Sequence, residues 1–551
     1  MSGQADTSDL WWKKAVFYCV DVETFQDSDG DGIGDFAGMT SRIDYLAELG
    51  ITCLWLMPFL PTPDRDDGYD VTDLFGVDPR LGTMGDLVEL LRTAHDRGIR
   101  VIADLVVNHT SDRHPWFRAA RRSTSNRYRD YYVWRSTPPP DTSDKVVFPD
   151  QEDSIWAKDD RTGEWYLHHF YSHQPDLNFA NPAVRDEIAR SIGLWLELGL
   201  DGFRVDAVPF LIEPTGLPEG AIVDPHDLLR DLRAYVSRRK GEAVLLGEVN
   251  LPAKDVRTFL GDEDGDELHM VFDFLGNQAL YLALARGEAE PLVRALRGMP
   301  ALPDTASLGR FVRNHDELTL DKLSDEERQE VFARFGPDPD MQLYGRGLRR
   351  RLPTMLDGDE RAIRMVYSLA FSLPGTPVLF YGEEIGMGEN PAEEGRMAVR
   401  TPMQWSADAT GGFSTVDDPA RLRRRPPAGR FGPEHVSVAA QRRDPHSLLN
   451  WFERLIRRRR ECPELGFGTL ELLDLEAPSV LAHRCDWDGA TIVAVHELAG
   501  REAEVALPVG DGEALVDLFG DAQHPLPATL RLEPYAAHWF RVRRAGTRLP
   551  P

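Results

Sequence analysis

Short apolar segments alternate with amphipathic segments along most of the chain, and this alternation is the feature that most constrains its fold. Parallel strands buried on both faces form continuous apolar runs, and helices connect them. The sequence predicts eight such strands, the number that closes a TIM (β/α)8 barrel. They are expected at 15–22, 53–59, 101–107, 202–208, 244–249, 270–274, 309–314 and 377–382.

Two stretches depart from this alternation. Residues 108–178 are rich in Trp, Tyr, His, Asp and Pro and are too long for an ordinary loop, which predicts a small inserted domain after the third strand. After residue 460 short alternating strands predict a C-terminal antiparallel β-sandwich domain. The predicted organisation is a barrel formed by 1–107 and 179–460 with its lid loops, an insert at 108–178 and a β domain at 461–551.

Composition excludes several kinds of partner. The 551 residues carry a formal net charge of -28, which repels nucleic-acid phosphates and suits a neutral substrate. No run of about 18 apolar residues is present, so we expect no membrane association. The first residues lack the pattern of a secretory signal, which predicts a cytoplasmic protein. Homo-oligomer formation is left open.

The four cysteines have no metal-binding or disulfide spacing and are expected to be buried free thiols. The basic stretches 421–425 and 457–460 are expected to be solvated.

Charged side chains stand at the predicted carboxyl ends of neighbouring strands, where barrel enzymes place catalytic residues. These are Asp104 on the third strand, Arg204 and Asp206 on the fourth, Glu248 at the end of the fifth and Asp316 after the seventh. Two such carboxyl groups can cleave a glycosidic bond when one attacks and the other moves the proton. Arg204 shares a strand face with Asp206 and should keep it ionised. Glu248 should have a raised pKa because of burial and neighbouring carboxylates.

The segments around these residues resemble the characteristic blocks of the α-amylase superfamily, family 13 of the glycoside hydrolases. The blocks are DLVVNH (104–109), QPDLNF (174–179), GFRVDAV (202–208), LLGEV (245–249), FVRNHD (311–316) and GTPVLFYGEEIGM (375–387). The resemblance implies a retaining mechanism with Asp206 as nucleophile, Glu248 as general acid/base and Asp316 as transition-state stabiliser. It also implies a set of sugar-binding residues in the innermost subsite, with Tyr69 as stacking platform: Asp70, Tyr69, His109, Arg204, His315 and Arg400.

Within that family, RDDGYD (65–70) and VRTPMQW (399–405) resemble trehalose synthases, which interconvert maltose and trehalose. The chain departs from that pattern after the acid/base, in the lid at 390–398 and in the loop at 420–433. Isomerisation requires that released glucose is retained while water is excluded, and these positions shape that pocket. The sequence therefore favours α-glucosidase-type hydrolysis of small α-glucosides such as maltose or trehalose. The alternative is trehalose synthase activity, and a remote alternative is a catalytically inactive binding subunit.

A second motif, DSDGDGIGD (27–35), begins like an EF-hand calcium loop, but Gly38 stands where such a loop has glutamate. Closely spaced carboxylates repel one another unless a cation lies between them. The family resemblance implies a structural Ca²⁺ site, with Mg²⁺ as the alternative, and no organic cofactor is expected. The implied ligands are Asp27, Asp29, Asp31, Asp35 and the carbonyl of Ile33.

Overall fold

In the computed structural model, which describes residues 7–510, 512–520 and 522–544, eight parallel strands close into a barrel. Each strand pairs with the next along the chain, and the last pairs with the first. They are β1 Phe17–Val20, β2 Cys53–Leu56, β3 Arg100–Leu105, β4 Gly202–Val205, β5 Val244–Gly247, β6 Met270–Phe272, β7 Ser307–Phe311 and β8 Thr376–Phe380. The eight predicted strands are confirmed. Each is shorter than its predicted segment because the buried apolar run continues past the last ladder hydrogen bond into the loops.

Helices cover the outside of the barrel and bury apolar side chains against it. In Met84–Asp96, Thr83 and Asp86 form a capping box, and the leucines and alanine at 87, 90, 91 and 94 face the core, as the period of 3.6 residues requires. The main helices are Phe36–Ser41, Ile43–Leu49, Met84–Asp96, Pro182–Leu198, Asp227–Arg239, Phe274–Arg286, Glu290–Gly298, Asp325–Phe335, Glu360–Ser372 and Leu448–Arg460. Shorter ones are Val22–Phe25, Pro115–Ala120, Val208–Ile212, Ala253–Val256, Leu352–Met355, Val438–Gln441 and Glu464–Phe467.

Residues 108–178 carry a small antiparallel sheet beside the carboxyl end of the barrel. Its strands are Trp134–Arg135, Trp165–Leu167 and Trp156–Lys158, in that spatial order. Val133, Ile155 and Leu167 form a separate small core with Trp156. Isolated bridges join His109 to Asp176 and Tyr132 to Leu177. The two ends of the insert are therefore tied to each other next to β3. A second small sheet lies after β7 and consists of Leu318–Thr319, Gln342–Leu343 and Gly347–Leu348.

The C-terminal part is an antiparallel β domain with its own apolar core, as predicted. Within the described residues, one sheet has the strand order Thr469–Leu473, Val480–Trp487, Ala490–Glu497, Ala537–Arg543, Ala514–Asp517 and Gln523–Pro525. A two-stranded sheet of Ala503–Ala506 and Thr529–Leu532 accompanies it.

Buried polar pairs attach this β domain to the barrel helix Glu360–Ser372. Ser372 Oγ hydrogen-bonds to His483 Nε2 at 3.0 Å, and Ser368 Oγ to His496 Nε2 at 3.0 Å. Burial lowers the pKa of His483 to about 3, so this interface is built for a neutral imidazole. The four cysteines are buried free thiols, as predicted. Among the described helices, none is both long and apolar enough to cross a bilayer.

Candidate active site

One buried arginine binds three carboxylates at the carboxyl end of the barrel. The Nη1 atom of Arg204 lies 2.6 Å from Asp104 Oδ1 and 2.5 Å from Asp206 Oδ1. Its Nη2 atom lies 2.7 Å from Glu248 Oε2. The side chain of Arg204 is 2% exposed, so water screens these pairs little. Neighbouring strands β3, β4 and β5 thus bring the predicted charged residues together around one cation.

Asp206 and Glu248 have different ionisation behaviour in this cluster. Burial, opposed by Arg204 and reinforced by Asp104, raises the pKa of Asp206 to about 6. Burial, opposed by Arg204 and reinforced by Asp206, raises the pKa of Glu248 to about 7. The predicted contact of Arg204 with Asp206 is present, but it does not bring the pKa below the ordinary value because burial outweighs it. Between these two pKa values Asp206 is ionised while Glu248 holds its proton.

The backbone next to Asp206 adds to this arrangement. Ala207 has a φ of 49°, in the left-handed region, and its amide donates to Glu248 Oε2 at 3.2 Å. The turn after β4 therefore links the two carboxyl groups directly. Carboxylates bound by the two terminal nitrogens of one guanidinium are close together, which favours the separation of about 5–5.5 Å found in retaining glycosidases.

Two arginines hold the third catalytic candidate, Asp316. Arg396 Nη1 lies 2.6 Å and Arg400 Nη2 3.0 Å from Asp316 Oδ1. Burial alone would raise the pKa of Asp316, but His315, Arg396 and Arg400 outweigh it and hold the pKa well below its ordinary value. Asp316 therefore stays ionised across the range in which Asp206 and Glu248 titrate.

The predicted sugar-binding aromatic residues lie beside this cluster. The rings of Tyr69 and His315 are stacked at a centroid distance of 5.8 Å with an interplanar angle of 7°. Tyr69 Oη is 2.7 Å from His315 Nε2, and His109 Nε2 is 3.1 Å from the carbonyl oxygen of Tyr69. Burial lowers the pKa of His109 and that of His315, so both imidazoles are neutral at pH 7. Neutral histidines suit hydrogen bonding to an uncharged sugar.

The placement predicted for Asp70 is wrong. Its side chain is fully buried and accepts hydrogen bonds from Thr62 Oγ1 at 2.7 Å and from the backbone amides of Arg65 and Asp66. The carboxylate is therefore committed to holding the loop before it. Asp66 and Asp67, which the sequence did not single out, lie instead beside the arginines that hold Asp316. Asp66 lies 2.8 Å from Arg396 Nη2, and Asp67 lies 2.5 Å from Arg400 Nη1.

Two cavities meet at this site. One of about 370 Å³ is lined by Glu248 and Asp316 together with the rings of Phe148, Phe170 and Phe210. The other, of about 680 Å³, contains charged side chains from residues 64–67 and 393–396. Arg396 lines both. The first cavity is within the size range of small-molecule sites, and its aromatic walls suit the apolar faces of a sugar.

Most arginines of the basic stretches 421–425 and 457–460 are solvent-exposed, as predicted, but one in each stretch is buried. Arg424 is 5% exposed and pairs with Asp21 and Asp67. Arg459 is 2% exposed and donates to the carbonyl oxygens of Gly375 and Leu465. Each of these two side chains binds at least one acceptor that is distant in sequence, and the fold brings that acceptor to it.

The aspartate loop (residues 27–35) lies on the segment that follows β1. Carboxylate oxygens of Asp27, Asp29 and Asp35 lie within 4.8 Å of one another, as cation ligands must. Asp31 is not part of that group, and its Oδ1 accepts from the amide of Ile33 at 2.8 Å. Three of the four predicted carboxylates therefore converge. Oxygen ligands of this kind fit a hard cation such as Ca²⁺ or Mg²⁺.

A closed barrel whose carboxyl end presents paired carboxyl groups on one arginine, beside an aromatic cavity, defines an enzyme that acts on glycosidic bonds. The chain belongs to the α-amylase family: the model of the α-amylase catalytic domain matches residues 20–330 and 349–468.

Its relatives differ in the reaction that their names describe. The chain is 41% identical to trehalose synthase/amylase TreS of Mycobacterium tuberculosis, over 98% of this chain and 92% of that protein. It is 40% identical to trehalose synthase of Pimelobacter sp., over 97% and 96%. Identity to an oligo-1,6-glucosidase of Halalkalibacterium halodurans is 30%, over 97% and 99%. Among solved structures, the α-amylase from H. orenii matches with a TM-score of 0.78 at 28% identity, over 96% of this chain and 100% of that one.

Proposed function

We propose that this enzyme interconverts maltose and trehalose by intramolecular transfer of a glucosyl group. The observation that carries the proposal is the identity of about 40% to trehalose synthases over nearly the whole chain, against 30% to an oligo-1,6-glucosidase. The preference for hydrolysis drawn from the sequence has less support than this alternative. That preference rests on the departures after the acid/base, in the lid and in the loop at 420–433, whereas the geometry around Arg396 supports a lid that still closes the pocket.

In the proposed reaction, the ionised Asp206 attacks the anomeric carbon while Glu248 donates its proton to the leaving oxygen. A covalent β-glucosyl-enzyme results, and the second glucose is released inside the pocket. Glu248 then takes the proton from a hydroxyl group of that glucose, whose oxygen attacks the anomeric carbon from a new orientation and displaces Asp206 as a carboxylate. Asp316 stabilises positive charge that develops on the sugar ring. Arg204 holds both reacting carboxyl groups and so fixes their geometry.

Retention of the released glucose is the step that separates isomerisation from hydrolysis. Arg396 comes from the lid at 390–398 and links Asp316, which lines one cavity, to Asp66, which lines the other. Arg349 holds the lid by donating to the carbonyl oxygen of Pro391 at 2.7 Å. A lid fixed by such charged contacts can exclude water during the lifetime of the glucosyl-enzyme.

We also propose that the aspartate loop binds a structural Ca²⁺, with Mg²⁺ as the alternative, through Asp27, Asp29 and Asp35. The convergence of their carboxylate oxygens supports this site. The cation would neutralise charges that otherwise repel one another in the segment after β1. Its contribution would be to stability, since the loop is not part of the cavity that Glu248 and Asp316 line.

The test is product analysis of the purified enzyme given maltose and trehalose in separate reactions. Formation of trehalose from maltose, and of maltose from trehalose, is the expected outcome. Glucose as the sole product would instead assign α-glucosidase-type hydrolysis. If neither sugar reacts, both assignments fail, and a panel of other α-glucosidic linkages would identify the substrate.

A further inference from the structure

A buried arginine outside the barrel strands is connected to the catalytic carboxylates by a continuous chain of ion pairs. Arg424 Nη1 lies 3.0 Å from Asp21 Oδ2, at the end of β1, and 3.3 Å from the carbonyl oxygen of Arg400. Its Nη2 pairs with Asp67 Oδ1. The other oxygen of Asp67 lies 2.5 Å from Arg400 Nη1. Arg400 itself is fully buried and reaches Asp316 with its second terminal nitrogen.

Asp67 has a geometry that depends on both arginines. Its φ is 51°, in the left-handed region, so the turn that carries it is strained unless its surroundings hold it. Burial would raise its pKa, but Arg424 and Arg400 outweigh burial and hold the pKa well below the ordinary value. Each oxygen of the carboxylate is bound by a different arginine. Removal of one partner would therefore leave half of a buried charge unmatched.

Loss of Arg424 would change the position of Arg400. Its guanidinium is shared between Asp67 and Asp316, and its Nε donates to the carbonyl oxygen of His315 at 2.8 Å. Without Arg424, Asp67 would attract Arg400 more strongly and draw it from Asp316. The position of a transition-state stabiliser is set to within fractions of an ångström, so such a shift lowers turnover.

We propose that Arg424 is a positioning residue that fixes Arg400, and thereby Asp316, through Asp67. This inference rests on the catalytic role proposed above for Asp316, and it holds for hydrolysis and isomerisation alike. It gives the reworked loop at 420–433 a role in the barrel's chemistry, although Arg424 does not touch the reacting atoms.

A neighbouring arginine supplies a matched control. Arg423 lies on the same segment and pairs with Glu23 at 3.1 Å and with Asp64. It makes none of the contacts to Asp67 or Arg400 that Arg424 makes within the described structure. Its substitution removes the same charge from the same segment and leaves the chain of ion pairs to Asp316 intact.

The experiment compares Arg424→Met with Arg423→Met, using both maltose and 4-nitrophenyl α-glucoside as substrates and circular dichroism to verify folding. We expect kcat of Arg424→Met to fall about 10- to 100-fold, with a smaller change in KM, because the loss lies in transition-state stabilisation. Arg423→Met should stay within about 3-fold of the wild type. Equal losses in the two variants, or a kcat of Arg424→Met within about 2-fold of the wild type, would overturn the proposal.

A double-mutant cycle with Asp67→Asn tests whether Arg424 acts on Arg400 through Asp67. If Arg424 acts through Asp67, the double variant should lose no more activity than the worse single variant. Losses that multiply would refute this route. Should Arg424→Met fail to fold, Arg424→Lys carries the same comparison, since lysine keeps the charge but lacks the fork that binds Asp21 and Asp67 together. Wild-type turnover of the aryl glucoside without maltose–trehalose interconversion would refute the proposed isomerisation and leave this test valid.

Discussion

The ionisation of Asp206 and Glu248 predicts a narrow pH dependence of activity. The reactive form has Asp206 ionised and Glu248 protonated. As pH falls through about 6, Asp206 gains a proton and ceases to be a nucleophile. As pH rises through about 7, Glu248 loses the proton that the leaving oxygen requires. Activity should therefore be highest between the two values and decline on both sides.

The pKa values of Asp206 and Glu248 set the width of the pH–activity profile. For independent titrations the reactive form is about 60% of the enzyme at pH 6.5 and about a tenth at pH 5 and at pH 8. The assay is kcat/KM for maltose from pH 4.5 to 8.5 at constant ionic strength, because this parameter reports the free enzyme. A profile that is flat from pH 5 to pH 8 would refute the assignment of these ionisations.

The substitution Glu248→Gln tests whether Glu248 causes the basic limb of the pH profile, which is the decline in activity above pH 7. On maltose, loss of the general acid should reduce kcat about 10²- to 10⁴-fold. On α-glucosyl fluoride, whose leaving group needs no proton, the first turnover should stay fast and lose its dependence on pH above 7. Rapid-quench detection of released fluoride measures that turnover. A basic limb that persists in Glu248→Gln would show that another group controls it.

Four further outcomes are expected. Asp206→Asn should abolish turnover of maltose while the melting temperature stays near that of the wild type; substantial residual activity would disprove the nucleophile assignment. A chelator should lower the melting temperature of the wild type but not that of Asp29→Ala, and equal curves for the wild type after verified metal loss would exclude a structural cation. Sugar released by the enzyme should first be the α-anomer in polarimetry, whereas prompt β-anomer would contradict retention. Stability should decline as pH falls below about 6.5, because unfolding returns the pKa of the buried His483 from about 3 to its ordinary value and the unfolded chain then binds a proton that the folded protein does not. At pH 5 this lowers the free energy of unfolding by about 2 kcal/mol. Thermal melts should show a flatter pH dependence for His483→Gln than for the exposed His446→Gln, and identical slopes would contradict this account.

The barrel and the convergence of its candidate catalytic carboxylates could be predicted because their determinants are local in sequence. Apolar runs predicted all eight strands, since a strand buried on both faces needs apolar residues throughout. Asp206 and Glu248 follow such runs directly, and parallel strands in a barrel present their carboxyl ends at one rim. Their meeting at one rim of the barrel therefore follows from strand order.

The assignment of Asp70 failed for a local reason that spacing does not reveal. Side-chain directions change within the segment 66–70 because Asp67 and Gly68 have φ values of 51° and 91°. Positive φ angles reverse the chain and break the alternation of side-chain directions that a strand would have. Asp66 consequently faces Arg396 of the lid and Asp67 faces Arg400 and Arg424, while Asp70 turns back into its own loop.

The amino-acid sequence by itself determined the strands, the layer of helices and the order in which the catalytic side chains reach the rim of the barrel. Only the tertiary structure decided which charges are matched. Arg424 stands in a run of arginines that predicts a solvated side chain. Its partners Asp21 and Asp67, however, lie more than 350 positions away along the chain. A buried charge is stable only beside its counter-charge, and packing alone brings such distant residues into contact.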